Sequence, residues 1–181
     1  RTKYPLYSLY LPDVYRDIVK SLRVIYEQAD NCAPLPDWDH APHGVCFIYK
    51  GKDGFHNFTT CRHEHMLMVV VDAWIKGFAD IDMKSLYPYL RHEVMIQMPE
   101  KYDPIGFIPA RPDQTGEYCW DNWCVAQVAK SLGYQQDYDY FMKRSQYWRN
   151  TWHPRILYFR ARAAYGTWLD FPEDPTVNRE K

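Results

Sequence analysis

Apolar positions recur along this chain at helical spacing. Val14, Ile18, Leu22, Ile25 and Tyr26 line one face behind Asp13, whose carboxylate is placed to cap a helix running to about Asp30. A second helix is expected from about Glu64 to Phe78, with Met66, Val69, Val70 and Ala73 together. Asp82 opens a third through Leu86, Leu90 and Val94, with Pro88 in its early turns. The run EYCWDNWCVAQVAKSLG, residues 117–133, predicts a fourth, stopped by Gly133 where a left-handed residue closes a helix. A fifth is expected from about Asp137 to Trp148.

Turn chemistry separates these segments. Cys32 to Thr60, with Pro34, Pro36, Pro42, Gly44, Gly51 and Gly54, predicts a long loop. Pro99, Pro104, Pro109 and Pro112 make the stretch before residue 117 irregular, and DFPEDPTVNREK predicts a frayed end. No stretch alternates over two neighbouring strands, so nothing beyond a hairpin is expected of β structure. The expected fold is all-α, an α-hairpin array whose long loops at one end carry any site.

Composition narrows the function. The 181 residues are 46% apolar and 25% charged, enough for one domain with a core. Lys and Arg total 22 against 23 Asp and Glu, which leaves no evident basic face for nucleic acid. The longest apolar run, Met66 to Ala73, is interrupted by Asp72 and is far too short to span a bilayer. Aromatic residues reach 17%, with seven Trp and sixteen Tyr; such rings stack on sugars or fill a core, and composition alone favours the core. Arg1 opens the chain without a leader, as expected of a processed chain or an internal piece.

Candidate chemistry sits in three places. CRHEH offers Cys61, His63, Glu64 and His65, with His40, His43 and Cys46 upstream, but the spacings fit no zinc pattern, and helix-terminus histidines are the simpler reading. His92-Glu93 lacks a second His, since Ile96 stands there. In LPDWDH, Trp38 between Asp37 and Asp39 suits a hydroxyl-rich ligand as well as it suits a turn pinned by a buried indole. In residues 117–133, Trp120, Trp123, Cys124 and Gln127 share a side expected to be packed, with Asp121 off it and Glu117 capping or preceding the first turn. That stretch is expected to be wall first and site second, with Trp123 and Cys124 buried. The cysteine count is odd, counting Cys32, and Cys119 and Cys124, roughly 140° apart round a helix, are not placed to bridge. Asn57-Phe58-Thr59 matches the N-glycosylation triplet.

Five colinear runs resemble glycoside hydrolase family 92, the calcium-dependent exo-α-mannosidases. They are YEQ (Tyr26 to Gln28) followed by LPDW (Leu35 to Trp38), His65 with VVDAWIKGF (Val70 to Phe78), GFIPA (Gly106 to Ala110), residues 117–133, and DYDYFMKRSQYWRN (Asp137 to Asn150). The resemblance covers the chain from Arg1 to about Trp168 and implies an internal segment of an (α/α)6 barrel that follows a β-sandwich. It implies hydrolysis of terminal α-mannosides with inversion, the general acid and base lying beyond Lys181 and no catalytic residue within this segment. Arg1, Trp38, Asp39 and His65 match sugar-facing positions, although Asp39 stands where the family usually has Glu. The resemblance also implies calcium in the parent enzyme, with no ligand for it here. It implies a mannose-containing glycan and the parent's remaining domains as partners, and a periplasmic or secreted location. The segment from Ala41 to Phe58 is longer than the family pattern, and the loop before Glu117 is shorter. The rival expectations are a non-catalytic carbohydrate-binding or structural helical domain, and a different helical-barrel glycosidase.

Overall fold

The computed structural model describes residues 3–27, 48–51, 54–57, 66–78 and 80–170. Its helices are α1 (Lys3–Tyr10), α2 (Pro12–Glu27), α3 (Met66–Ile75), α4 (Met83–Gln97), α5 (Pro112–Ser131) and α6 (Gln135–Arg144). Short 3-10 turns cover Glu100–Tyr102 and Tyr147–Thr151. Two antiparallel hairpins complete the described elements: β1 (Ile48–Gly51) with β2 (Gly54–Asn57), and β3 (Trp152–His153) with β4 (Tyr158–Phe159). The architecture is all-α, as the periodicity indicates. No described helix is long and apolar enough to cross a membrane.

The boundaries shift where proline sets them. Pro12 takes the first position of α2, where its missing N–H costs nothing and its fixed φ suits a helix. Asp13 is therefore inside the first turn, paired with Arg16 at 2.6 Å, and not the cap. Pro112 likewise starts α5 well before Glu117, which lies in the second turn and does not cap. Asp82 does cap α4: its Oδ1 accepts from the backbone N–H groups of Lys84 and Ser85. Gly133, at φ +77°, follows the end of α5 as expected.

The main core is a cluster across α2 to α6, and a smaller second cluster gathers Met98, Ile108, Tyr118, Cys119 and Tyr147. Tyr15 and Val19 of α2, Val70 of α3, Leu90 of α4, Val125 of α5 and Phe141 of α6 are all fully buried. Each aliphatic side chain so placed contributes about 1.5–3 kcal/mol. α5 is central, packing on α3, α4, α6 and the Tyr147–Thr151 turn. That centrality corrects the expected facing of residues 117–133. Cys124 is buried, but Trp123 is 40% and Trp120 63% exposed, while Asp121 is fully buried. A helix surrounded on most sides has one open strip, and the two indoles occupy it.

Connections differ sharply between the two ends. Residues 76–82 and 132–134 join α3 to α4 and α5 to α6 at one end. At the other lie the last turns of α2, α4 and α6, the first turns of α3 and α5, and the described 98–111 connection. The hydrogen bond from Tyr26 to Glu93 fixes this sense, bringing the last turns of α2 and α4 together.

Candidate functional site

The long-connection end holds three polar assemblies. The first is the Tyr26–Glu93 pair, both side chains buried. Tyr26 Oη donates to Glu93 Oε2 at 2.6 Å, and Gln97 Nε2 donates to Oε1 at 3.4 Å. Burial, and then the nearby Glu93 and Asp121 carboxylates, hold the Tyr26 phenol well above its ordinary pKa. It stays a hydrogen-bond donor at every physiological pH. Burial followed by Asp121 and Asp72 raises Cys124 in the same way. This assembly locks α2 to α4.

The second assembly pins the 98–111 connection to α6. Arg144 is fully buried, its Nε 3.0 Å from Asp103 Oδ1 in an ion pair whose angle is poor for a hydrogen bond. Its Nη2 donates to the Met98 carbonyl, Nη1 contacts Met95 Sδ at 3.2 Å, and the guanidinium lies 5.3 Å from the Tyr140 ring centroid. Tyr140 Oη donates to Asp103 Oδ2 at 2.7 Å. Cys119 Sγ donates to the Arg144 carbonyl at 3.3 Å and accepts from Trp148 N–H at 3.1 Å. Burial pushes that thiol up to about 12, so it is inert toward nucleophilic chemistry.

The third is a stack centred on Arg162. Its guanidinium lies 4.9 Å from the Phe107 ring centroid and 4.8 Å from that of Trp168. Nε and Nη1 donate to the carbonyls of Gly166 and Asn150, both at 2.9 Å. His153 packs on Trp168 with centroids 4.7 Å apart. The loop closes on Gly106, whose carbonyl accepts from Asn150 Nδ2 at 2.8 Å. Phe107 to Ala110 of the GFIPA run thus stand against the chain segment after α6.

The four sequence-derived sugar-facing residues, Arg1, Trp38, Asp39 and His65, lie outside the described residues. So do His40, His43, Cys46, Cys61, His63 and Glu64, and the Phe58-Thr59 part of the glycosylation triplet. Among the described residues no three His, Cys, Asp or Glu side chains gather to hold a metal, and Cys119 and Cys124 are unbridged. Sequence reasoning missed Glu93 and Arg144. The signal for Arg144 is its place in the Asp137–Asn150 run; Glu93 carries none beyond a His-Glu pair that lacks the second His of a zinc motif.

Residues 1–180 match the glycosyl hydrolase family 92 catalytic domain. The chain belongs to glycosyl hydrolase family 92. Its fold is similar to that of the family GH92 α-mannosidase BT3965 from Bacteroides thetaiotaomicron in complex with mannoimidazole, at 26% identity and TM-score 0.66. That alignment covers 92% of this chain and 21% of the other. The fold also resembles the family GH92 inverting mannosidase BT2199 from the same organism, at 23% identity and TM-score 0.65, over 94% of this chain and 23% of that one. No curated protein matches in sequence. The family-92 chain thus spans about a fifth of the length of these structures.

Proposed function

We propose that the polypeptide carrying this chain is an α-mannosidase that removes terminal α-mannosyl residues from a mannose-containing glycan with inversion. The observation that carries the reading is the family-92 match over residues 1–180, joined to 26% identity with an α-mannosidase whose structure holds mannoimidazole. In this reading the chain is a single segment of an (α/α)6 barrel, supplying wall and substrate-facing loops while the rest of the polypeptide supplies the acid and base. Inversion requires those two carboxyl groups about 6.5–9.5 Å apart, with a water between the base and the sugar. Arg1, Trp38, Asp39 and His65 are assigned to the sugar. Calcium belongs to the whole enzyme in the same proposal, and a periplasmic or secreted location goes with it. The described residues gather no ligand set for a metal, so no step of the reaction is assigned to one here.

The test is hydrolysis of 4-nitrophenyl α-D-mannoside by the polypeptide, with the first-formed sugar followed by proton NMR. β-Mannose is expected first, with activity lost on chelation of calcium. Asp39→Asn is expected to lower kcat/KM by about 10–100-fold, the worth of one charge-assisted hydrogen bond to the sugar. Release of α-mannose first would overturn inversion. Binding of mannosides without any hydrolysis would favour a carbohydrate-binding domain instead.

A further inference from the structure

A net charge of −1 conceals a segregation. From Phe141 to Leu169 the charged side chains are Lys143, Arg144, Arg149, Arg155, Arg160 and Arg162, with no Asp or Glu. Half of them are committed internally. Arg144 pairs with Asp103, Arg160 bonds the Leu169 carbonyl and Asp170, and Arg162 holds two carbonyls in its stack. Lys143, Arg149 and Arg155 remain exposed.

Arg149 stands with Trp148 and Trp152 around an open hollow of about 440 Å³. Trp152 pairs with Phe159 across β3 and β4, so the two rings share one face of the hairpin. Phe159 meets Trp152 edge-on at 5.1 Å and Trp148 edge-on at 6.2 Å, and so wedges both indoles in place. The Arg149 guanidinium lies 4.6 Å from the Trp148 ring centroid, and its Nε donates to Gln146 Oε1 at 3.1 Å. Its two Nη groups have no partner among the described residues. The fork is oriented by stacking, and nothing in its stretch of chain neutralises it.

Two demands meet in this hollow. The indole faces call for an apolar ring surface, and the fork calls for a planar or tetrahedral anion. A purely aliphatic partner would leave the fork unsatisfied, and a bare anion would leave the indoles unused. We propose that the hollow binds a sugar residue bearing an anionic group, a carboxylate or a phosphate ester, with its ring against Trp152 and its anion on Arg149. The choice of a sugar rests on family membership and not on the mannosidase reading. The site is distinct in sequence from the four residues assigned to the cleaved mannose.

Calorimetric titration of the full chain with glucuronate, glucose 6-phosphate, glucose and inorganic phosphate tests it. Glucuronate or glucose 6-phosphate is expected to bind at least about tenfold more tightly than glucose, and the comparison of the two separates carboxylate from phosphate. Arg149→Gln is expected to bring the acidic sugar down to the level of glucose, and Trp152→Ala to abolish sugar binding. Both side chains are exposed, so melting temperatures are expected to hold; were Trp152→Ala to lower its own, Arg149→Gln alone decides. Equal affinity for glucose and the acidic sugars, or unchanged affinity in Arg149→Gln, would overturn the proposal. So would inorganic phosphate binding as tightly as glucose 6-phosphate. Because the readout is binding, failure of mannoside hydrolysis leaves the result intact.

Discussion

Arg144 shows how one side chain organises its surroundings. It is fully buried, yet carries a guanidinium charge. Asp103, the Met98 carbonyl and the Tyr140 ring compensate that charge, and together they hold the 98–111 connection on α6. Removing one member of such a pair is far costlier than the pair is worth, because the other charge stays behind without compensation. Arg144→Ala is therefore expected to destabilise by about 3–5 kcal/mol, measured by urea unfolding. A loss below about 1 kcal/mol would show that the network is incidental. Nothing in residue spacing marks Arg144 as different from its neighbour Lys143, which is exposed. Helical patterning assigns faces from apolar residues, and a buried cation is invisible to it.

At the scale of elements, the helices were legible because apolar spacing and capping agree. Leu86, Leu90 and Val94 behind Asp82 mark α4, and Gly133 marks the end of α5. The facing of α5 was not legible, since a helix packed on most sides carries buried residues around most of its circumference. Trp120 and Trp123 then lie on the open strip that a simple amphipathic reading assigns to polar groups. α1 was missed as well, because Pro12 divides it from α2 and its own apolar residues are largely exposed. The irregular 98–111 connection has its own fixed point. Gly106 sits at φ +68°, and a Cβ there would lie 2.5 Å from Asn150 Nδ2, the donor to its own carbonyl. Gly133 has a similar φ, +77°, but open space around it. Gly106→Ala is expected to cost about 2–4 kcal/mol, the left-handed backbone plus a displaced hydrogen bond. Gly133→Ala is expected to cost about 1–2 kcal/mol, the backbone alone. Equal losses for the two in thermal unfolding would show that Asn150 yields without consequence.

Over the whole molecule, the all-α class and the family could be read from the chain, but the chemistry of its surface could not. Totals of acidic and basic residues cancel, and hide the stretch from Phe141 to Leu169 in which every charge is positive. Motif matching reached the residues assigned to the sugar and passed over Glu93, because a buried carboxylate bonded to a phenol follows no local pattern. The same pairing logic bears on whether these 181 residues can hydrolyse a glycoside unaided. An inverting reaction needs one carboxyl group that can give a proton to the leaving oxygen and another free to activate water, both facing an open, wet cleft. The described carboxylates with defined partners serve the frame: Glu93 holds Tyr26 and Gln97, Asp72 holds Tyr15 and Lys76, Asp103 holds Arg144 and Tyr140, and Asp137 holds Tyr87 and Arg91. Each of these would have to abandon a structural partner before it could serve as acid or base. The purified 181-residue chain is accordingly expected to show no turnover of 4-nitrophenyl α-D-mannoside, with or without added calcium. Turnover by this chain that vanished in Asp39→Asn or Glu117→Gln would place the reacting carboxyl groups inside it and reverse the assignment.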